Sequence, residues 1–167
     1  MTTDYIEKDI LGHLLYALTP ANRLVCKVAL ETGLRIGDVL ALRSADLKKG
    51  SFTITEQKTG KKRKIKLRDS LKKELQAQCG TVYIFPHRTD PQKHRTRQAV
   101  FNDLKRACKA FRLKGVNVAP HTMRKAYAVD LYRKTGDLKR VKNALNHSND
   151  LVVILYAMAD ELTKKRG

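Results

Sequence analysis

The apolar residues of this chain change their spacing once, and that change limits the folds open to it. Up to residue 42, and again from residue 97, they recur every three or four positions, the period of a helix face. In between, Phe52 and Ile54 alternate with polar residues, as do Ile65 and Leu67, with Lys58-Thr59-Gly60-Lys61 between the two runs. A two-residue period on either side of a turn signal is a β-hairpin. Val82-Tyr83-Ile84-Phe85, ended by Pro86, predicts a third strand. The expected fold class is therefore α+β, mainly α with a small three-stranded antiparallel sheet.

The helices can be placed from their start and stop signals. Residues 6–18 are expected to form one, with Ile10, Leu14, Leu15 and Leu18 on its buried face. Thr19-Pro20 opens a second, because the first turn leaves unused the N–H that proline lacks. That helix carries Leu24, Val25, Val28 and Ala29 inward and stops at Gly33. A short helix follows, with Ile36, Val39, Leu40 and Leu42 facing inward. Further helices are expected at 69–78, 97–112, 121–134, 137–146 and 149–165. There is no Trp, so Leu, Val, Ile and Ala must build the core.

Charge narrows the partner. The chain has 35 Lys and Arg against 16 Asp and Glu, a formal charge of +19. Such an excess suits a polyanion, and nucleic acid is the commonest polyanion for a soluble domain. No apolar run approaches the length of a membrane span. The first residues, with Asp4, Glu7 and Asp9, lack the basic and apolar regions of a secretory signal. Cys26, Cys79 and Cys108 show no metal-ligand spacing and read as reduced, structural thiols. A cytoplasmic protein without a membrane contact is expected.

Three segments carry groups suited to phosphate chemistry. Thr32-Gly33-Leu34-Arg35-Ile36-Gly37-Asp38 sets an arginine at a helix start, with Asp38 three residues on to orient it. Pro120-His121-Thr122-Met123-Arg124 sets a proton-transfer group and a guanidinium fork on one helix face. Leu145-Asn146-His147 is followed nine residues later by Tyr156, inside an apolar run. Each has an ordinary explanation when taken singly: a surface ion pair, a basic helix, a tyrosine packed in the core.

Their order and spacing nevertheless resemble the signature of the tyrosine recombinases, the phage-integrase type, over nearly the whole chain. In that family an arginine lies in a T-G-[LMC]-R-x-x-[ED]-[LIV] box, matched by Arg35 and Asp38. A hairpin lysine, often in K-T-G, is matched by Lys58. An H-x-x-R pair is matched by His121 and Arg124, and an L-G-H box by Leu145-Asn146-His147, with Asn146 in place of the usual glycine. The nucleophilic tyrosine is matched by Tyr156. The resemblance implies the family's catalytic-domain fold. It further implies one catalytic domain over residues 1–167, without the helical domain that usually precedes it.

The implied reaction is a transesterification on double-stranded DNA. Tyr156 attacks phosphorus and displaces the 5′ hydroxyl, leaving a 3′-phosphotyrosyl link. Arg35 and Arg124 neutralise the non-bridging oxygens, and His147 donates a further hydrogen bond. A free tyrosine ionises near about 10, so a base is needed, and His121 is the candidate. Lys58 is the candidate acid for the departing oxygen, although Lys61, Lys62, Lys64 and Lys66 crowd the same hairpin. No cofactor and no metal is expected, because arginines supply the positive charge. The five histidines, His13, His87, His94, His121 and His147, form no ligand set. The full-length enzyme is expected to act as a homotetramer on paired sites, and this domain alone to be a monomer. A type IB topoisomerase and a DNA-binding module without the reaction are the competing readings.

Overall fold

A computed structural model describes residue 6 and residues 8–113 and 116–146. Helix α1 (Lys8–Tyr16) ends before the Thr19-Pro20 signal, and α2 (Pro20–Thr32) runs from that proline to Gly33. Gly33 takes φ +68° and its N–H bonds the Ala29 carbonyl at 2.8 Å, closing α2 with a left-handed cap. Val25, Cys26, Val28 and Ala29 of α2 are fully buried. On this central helix pack α1, α3 (Ile36–Leu40), α4 (Asp69–Gln76), α5 (Arg97–Ala110) and α6 (Pro120–Thr135). The buried stripe of α1 is Leu11, Leu14, Leu15 and, just past the helix, Leu18, whereas Ile10 is 47% exposed. The expectation that Ile10 faces inward is therefore corrected. Both residues fit a three-to-four spacing, and the helix turns the Leu11 side toward the core.

The hairpin forms where the alternation predicts it. Strands β1 (Phe52–Thr55) and β2 (Lys62–Ile65) pair antiparallel, with Phe52 opposite Ile65 and Thr55 opposite Lys62. The Glu56 N–H bonds the Lys61 carbonyl at 3.0 Å, and the Gly60 N–H bonds the Glu56 carbonyl at 2.8 Å, with Gly60 at φ +65°. That positive φ is where glycine is needed in the turn.

The third strand is corrected: among the described residues the sheet has two strands. Residues 82–84 pair instead with the chain just after α3, through Ser44 N–H to Val82 O at 3.1 Å and Ile84 N–H to Leu42 O at 3.0 Å. Ile84 and Phe85 are fully buried in the main core. Burial of two large side chains, rather than a place beside the hairpin, explains the apolar run.

Helix α5 starts at the Thr96 cap, whose hydroxyl accepts from Ala99 N–H, and α6 follows it in the chain. Ala128 and Val129 of α6 build a small second core with Val141 and Leu145 at α7 (Leu138–Ala144). Asp137 caps α7 by accepting from the Lys139 and Arg140 amides. The helix expected at 149–165 lies outside the described residues. Among the described residues, no helix is long and apolar enough to cross a membrane. The three cysteines are free, and burial, aided by the charge of Asp103, pushes the Cys26 thiol up to about 12.

Candidate active site

Five of the seven expected site residues, Arg35, Asp38, Lys58, His121 and Arg124, line a single cleft of about 720 Å³. They come from the start of α3, the hairpin turn and the first turns of α6. His147 and Tyr156 lie outside the described residues.

Arg35 precedes α3 in extended backbone. That helix is only five residues long. Among the described residues a carboxylate holds the guanidinium: Glu56 Oε2 accepts from Arg35 Nη1 at 2.9 Å. Asp38 does not orient Arg35 directly as expected. Its Oδ1 accepts from the Gln57 N–H at 2.8 Å, pinning the hairpin turn against α3. Burial pushes the Asp38 carboxyl above its usual range, and the nearby Glu56 charge adds to this. The Gln57 amide, Arg35 and Arg124 act in the opposite direction.

Arg124 is the largest fully buried side chain among the described residues. Its Nη1 donates to the Gly33 carbonyl at 2.5 Å and its Nη2 to the Leu145 carbonyl at 2.9 Å. The guanidinium plane is thus fixed between the ends of α2 and α7. Gly33 is constrained twice, because a Cβ there would run into the Tyr127 ring as well as sit at positive φ. Pro120 opens α6, and the Thr122 hydroxyl accepts from the Ala119 N–H at 3.1 Å. That start leaves His121 exposed at the rim of the cleft and Arg124 one turn deeper.

The hairpin lysines separate by position. Lys58, at the turn, lines the cleft, while Lys62 and Lys64 lie exposed on β2. Lys61 Nζ reaches the Asn146 carbonyl at 3.4 Å.

Residues 4–162 match the model of the phage integrase family. The chain belongs to that family. The probable integrase/recombinase YoeC of Bacillus subtilis is 32% identical over 141 residues, covering 81% of this chain and 76% of YoeC. A tyrosine recombinase of Thermosipho africanus is 31% identical over 163 residues, 92% of this chain and 56% of that protein. Among solved structures, the XerH site-specific recombinase bound to a palindromic difH substrate, a post-cleavage complex, superposes with a TM-score of 0.74 at 19% identity. It covers 99% of this chain and 53% of that one. This chain therefore spans little more than half of the Thermosipho and XerH chains. The fold is that of the tyrosine recombinase catalytic domain, mainly α with a small antiparallel sheet.

Two further features of this phage-integrase family member go beyond the sequence expectations. Glu56 is fully buried and takes Arg35, Arg63 and Asn146 as partners. Its signal is present in the sequence: positions 52, 54 and 56 share the inward phase of β1, so an acid at 56 is an inward-facing charge. Arg63 also donates to the Thr32 carbonyl, so the hairpin is bonded to the T-G-L-R segment at both Thr32 and Arg35. The second feature is Asn146 at φ +52°. Asparagine is among the few residues that enter this left-handed region readily, which explains how it stands where the family's box carries glycine.

Proposed function

We propose that this chain is the catalytic domain of a site-specific DNA recombinase, with residues 1–167 forming one catalytic unit. The observation that carries this reading is the convergence of Arg35, Lys58, His121 and Arg124 on one cleft. The family assignment supplies the reaction class.

In this reading the phosphodiester enters the cleft between α3, the hairpin turn and α6. Arg35 and Arg124 face its two non-bridging oxygens, which gain charge as the tyrosine oxygen approaches phosphorus. His121 takes the phenolic proton of Tyr156, and the phenolate forms the new P–O bond. The bond to the 5′ oxygen breaks, and Lys58 delivers a proton to that oxygen. His147 donates a hydrogen bond to the phosphate. The phosphotyrosyl ester conserves the bond energy, so a 5′ hydroxyl reverses the step and reseals a strand without a cofactor. Pairing of two cut sites in a homotetramer of the full-length enzyme then yields recombination, while this domain alone is a monomer.

Duplex DNA as partner is supported by the +19 charge and by the similar fold of the lambda integrase solved bound to DNA. Phosphate-dominated binding predicts that log affinity falls linearly with log salt. The loss between about 50 and 200 mM salt is expected to be at least about tenfold. Affinity that stays flat over this range in a fluorescence-anisotropy titration contradicts it.

The test of the acid role uses sulfur. Lys58→Ala is expected to slow cleavage of ordinary DNA by at least about a hundredfold. With the bridging 5′ oxygen replaced by sulfur, the leaving thiol ionises near about 8.5, by analogy with cysteine, and departs without a proton donor. Lys58→Ala should then cut at close to the wild-type rate, whereas Arg124→Lys should show no such recovery. Rescue of Lys61→Ala or Lys62→Ala but not Lys58→Ala would move the role to that lysine. Rescue of none removes general-acid catalysis from the hairpin.

A further inference from the structure

One buried carboxylate joins the parts of the cleft that chain order keeps apart. Glu56 Oε2 accepts from Arg35 Nη1 at 2.9 Å and from Thr59 Oγ1, in the turn that carries Lys58, at 3.3 Å. Its Oε1 accepts from Asn146 Nδ2 at 2.9 Å and lies 3.7 Å from Arg63 Nη1. Asn146 follows α7 and immediately precedes His147 in the chain. The Lys61 ammonium on its carbonyl gives the same junction a second tie to the hairpin. The left-handed backbone at 146 needs only a residue that tolerates positive φ, and glycine would meet that need. The asparagine adds an amide, and the amide is spent on Glu56.

We infer that the Glu56–Asn146 contact is a strut that holds the end of α7 against Arg35 and the hairpin turn that carries Lys58, making both positioning residues for strand cleavage. The inference rests on the proposed reaction. Water is excluded from Glu56, so the contact is short-ranged and directional. Losing it lets the end of α7, whose Leu145 carbonyl holds Arg124, shift relative to Arg35 and Lys58. Misplacement of reacting groups slows a step at saturation without weakening ground-state binding. Arg35, Lys58 and the rest of the basic surface still meet the DNA, so affinity is retained.

The experiment measures single-turnover covalent-adduct formation by the full chain on a nicked duplex, beside DNA affinity and thermal unfolding. Asn146→Gly keeps the backbone conformation and removes the amide. It is expected to lower the cleavage rate at saturating DNA about tenfold, in line with the loss of one hydrogen bond to a charged group, with affinity within about twofold of wild type. Asn146→Asp sets two carboxylates together and is expected to cut more slowly still. Adding Glu56→Gln to Asn146→Asp exchanges carboxylate and amide across the contact, and should recover part of the rate. A merely structural role predicts no recovery from this exchange, since it removes the carboxylate from Arg35 and Arg63. Wild-type cleavage by Asn146→Gly, or a double variant no faster than Asn146→Asp alone, overturns the strut while the reaction stands. Absence of any adduct with the wild-type chain overturns the proposed reaction and the strut with it.

Discussion

Tyr156→Phe is expected to bind DNA as the unchanged chain does and to form no covalent adduct at all. The substitution deletes one oxygen and keeps the ring, so the apolar body of the side chain is unchanged. Tyr156 lies outside the described residues, and the expectation rests on its interval from His147 and on the family's tyrosine. The measurement is a denaturing gel of protein incubated with a nicked duplex, which traps a 3′-linked complex because the cut fragment diffuses away. A shifted band that persists in Tyr156→Phe sinks the assignment of the nucleophile. Loss of DNA affinity together with the adduct would mean instead that the hydroxyl is structural.

Arg124→Ala is expected to lose both the reaction and a large share of the stability. The side chain is 2% exposed and donates to the carbonyls of Gly33 and Leu145. Removing it leaves both acceptors without that donor, opens a cavity, and leaves Asp38 short of a neighbouring cation. Breaking a buried, hydrogen-bonded charge cluster costs roughly 3–5 kcal/mol. For a domain of this size that corresponds to a Tm lower by roughly 10 °C. Arg124→Lys keeps the charge but not the two-pronged geometry, so it should unfold closer to wild type while still cutting poorly. An Arg124→Ala chain that melts with wild-type Tm contradicts the bridging role. Cleavage at the wild-type rate by either variant contradicts the catalytic one. Alanine at this position therefore reaches beyond the chemistry, because the guanidinium is also a buried tie between helices.

Much of this arrangement is legible in the sequence. Arg35, Lys58, His121 and Arg124 stand out because their order and spacing reproduce a family pattern, and the cleft brings those four together. The hairpin is legible because a change of period is a local signal. What escapes is long-range. The run from Val82 to Phe85 has the composition of a strand, but its partner is the chain after α3, a pairing no local period encodes. Ile10 and Leu11 fit the same helical spacing, and only the neighbouring helix decides which is buried. Glu56 is hidden because strand alternation shows in its apolar members, and the acid that continues their phase looks like part of the turn. Proximity in sequence points Asp38 to Arg35, whereas its bond runs to a backbone amide of the hairpin.

The two carbonyl bonds of Arg124 have a bearing on how descendants of such a chain should be read. A lineage that gives up strand cleavage but goes on using the domain to hold DNA is released from keeping its tyrosine and its proton donors. It is not released from keeping the arginine that ties α2 to α7. Drift would therefore erase the reaction in a set order, with the nucleophile and the hairpin lysine lost early and the buried guanidinium last. An arginine at this position is a record of inherited architecture, and Lys58 and His121, exposed at the cleft, are where to look for whether a given copy still cuts.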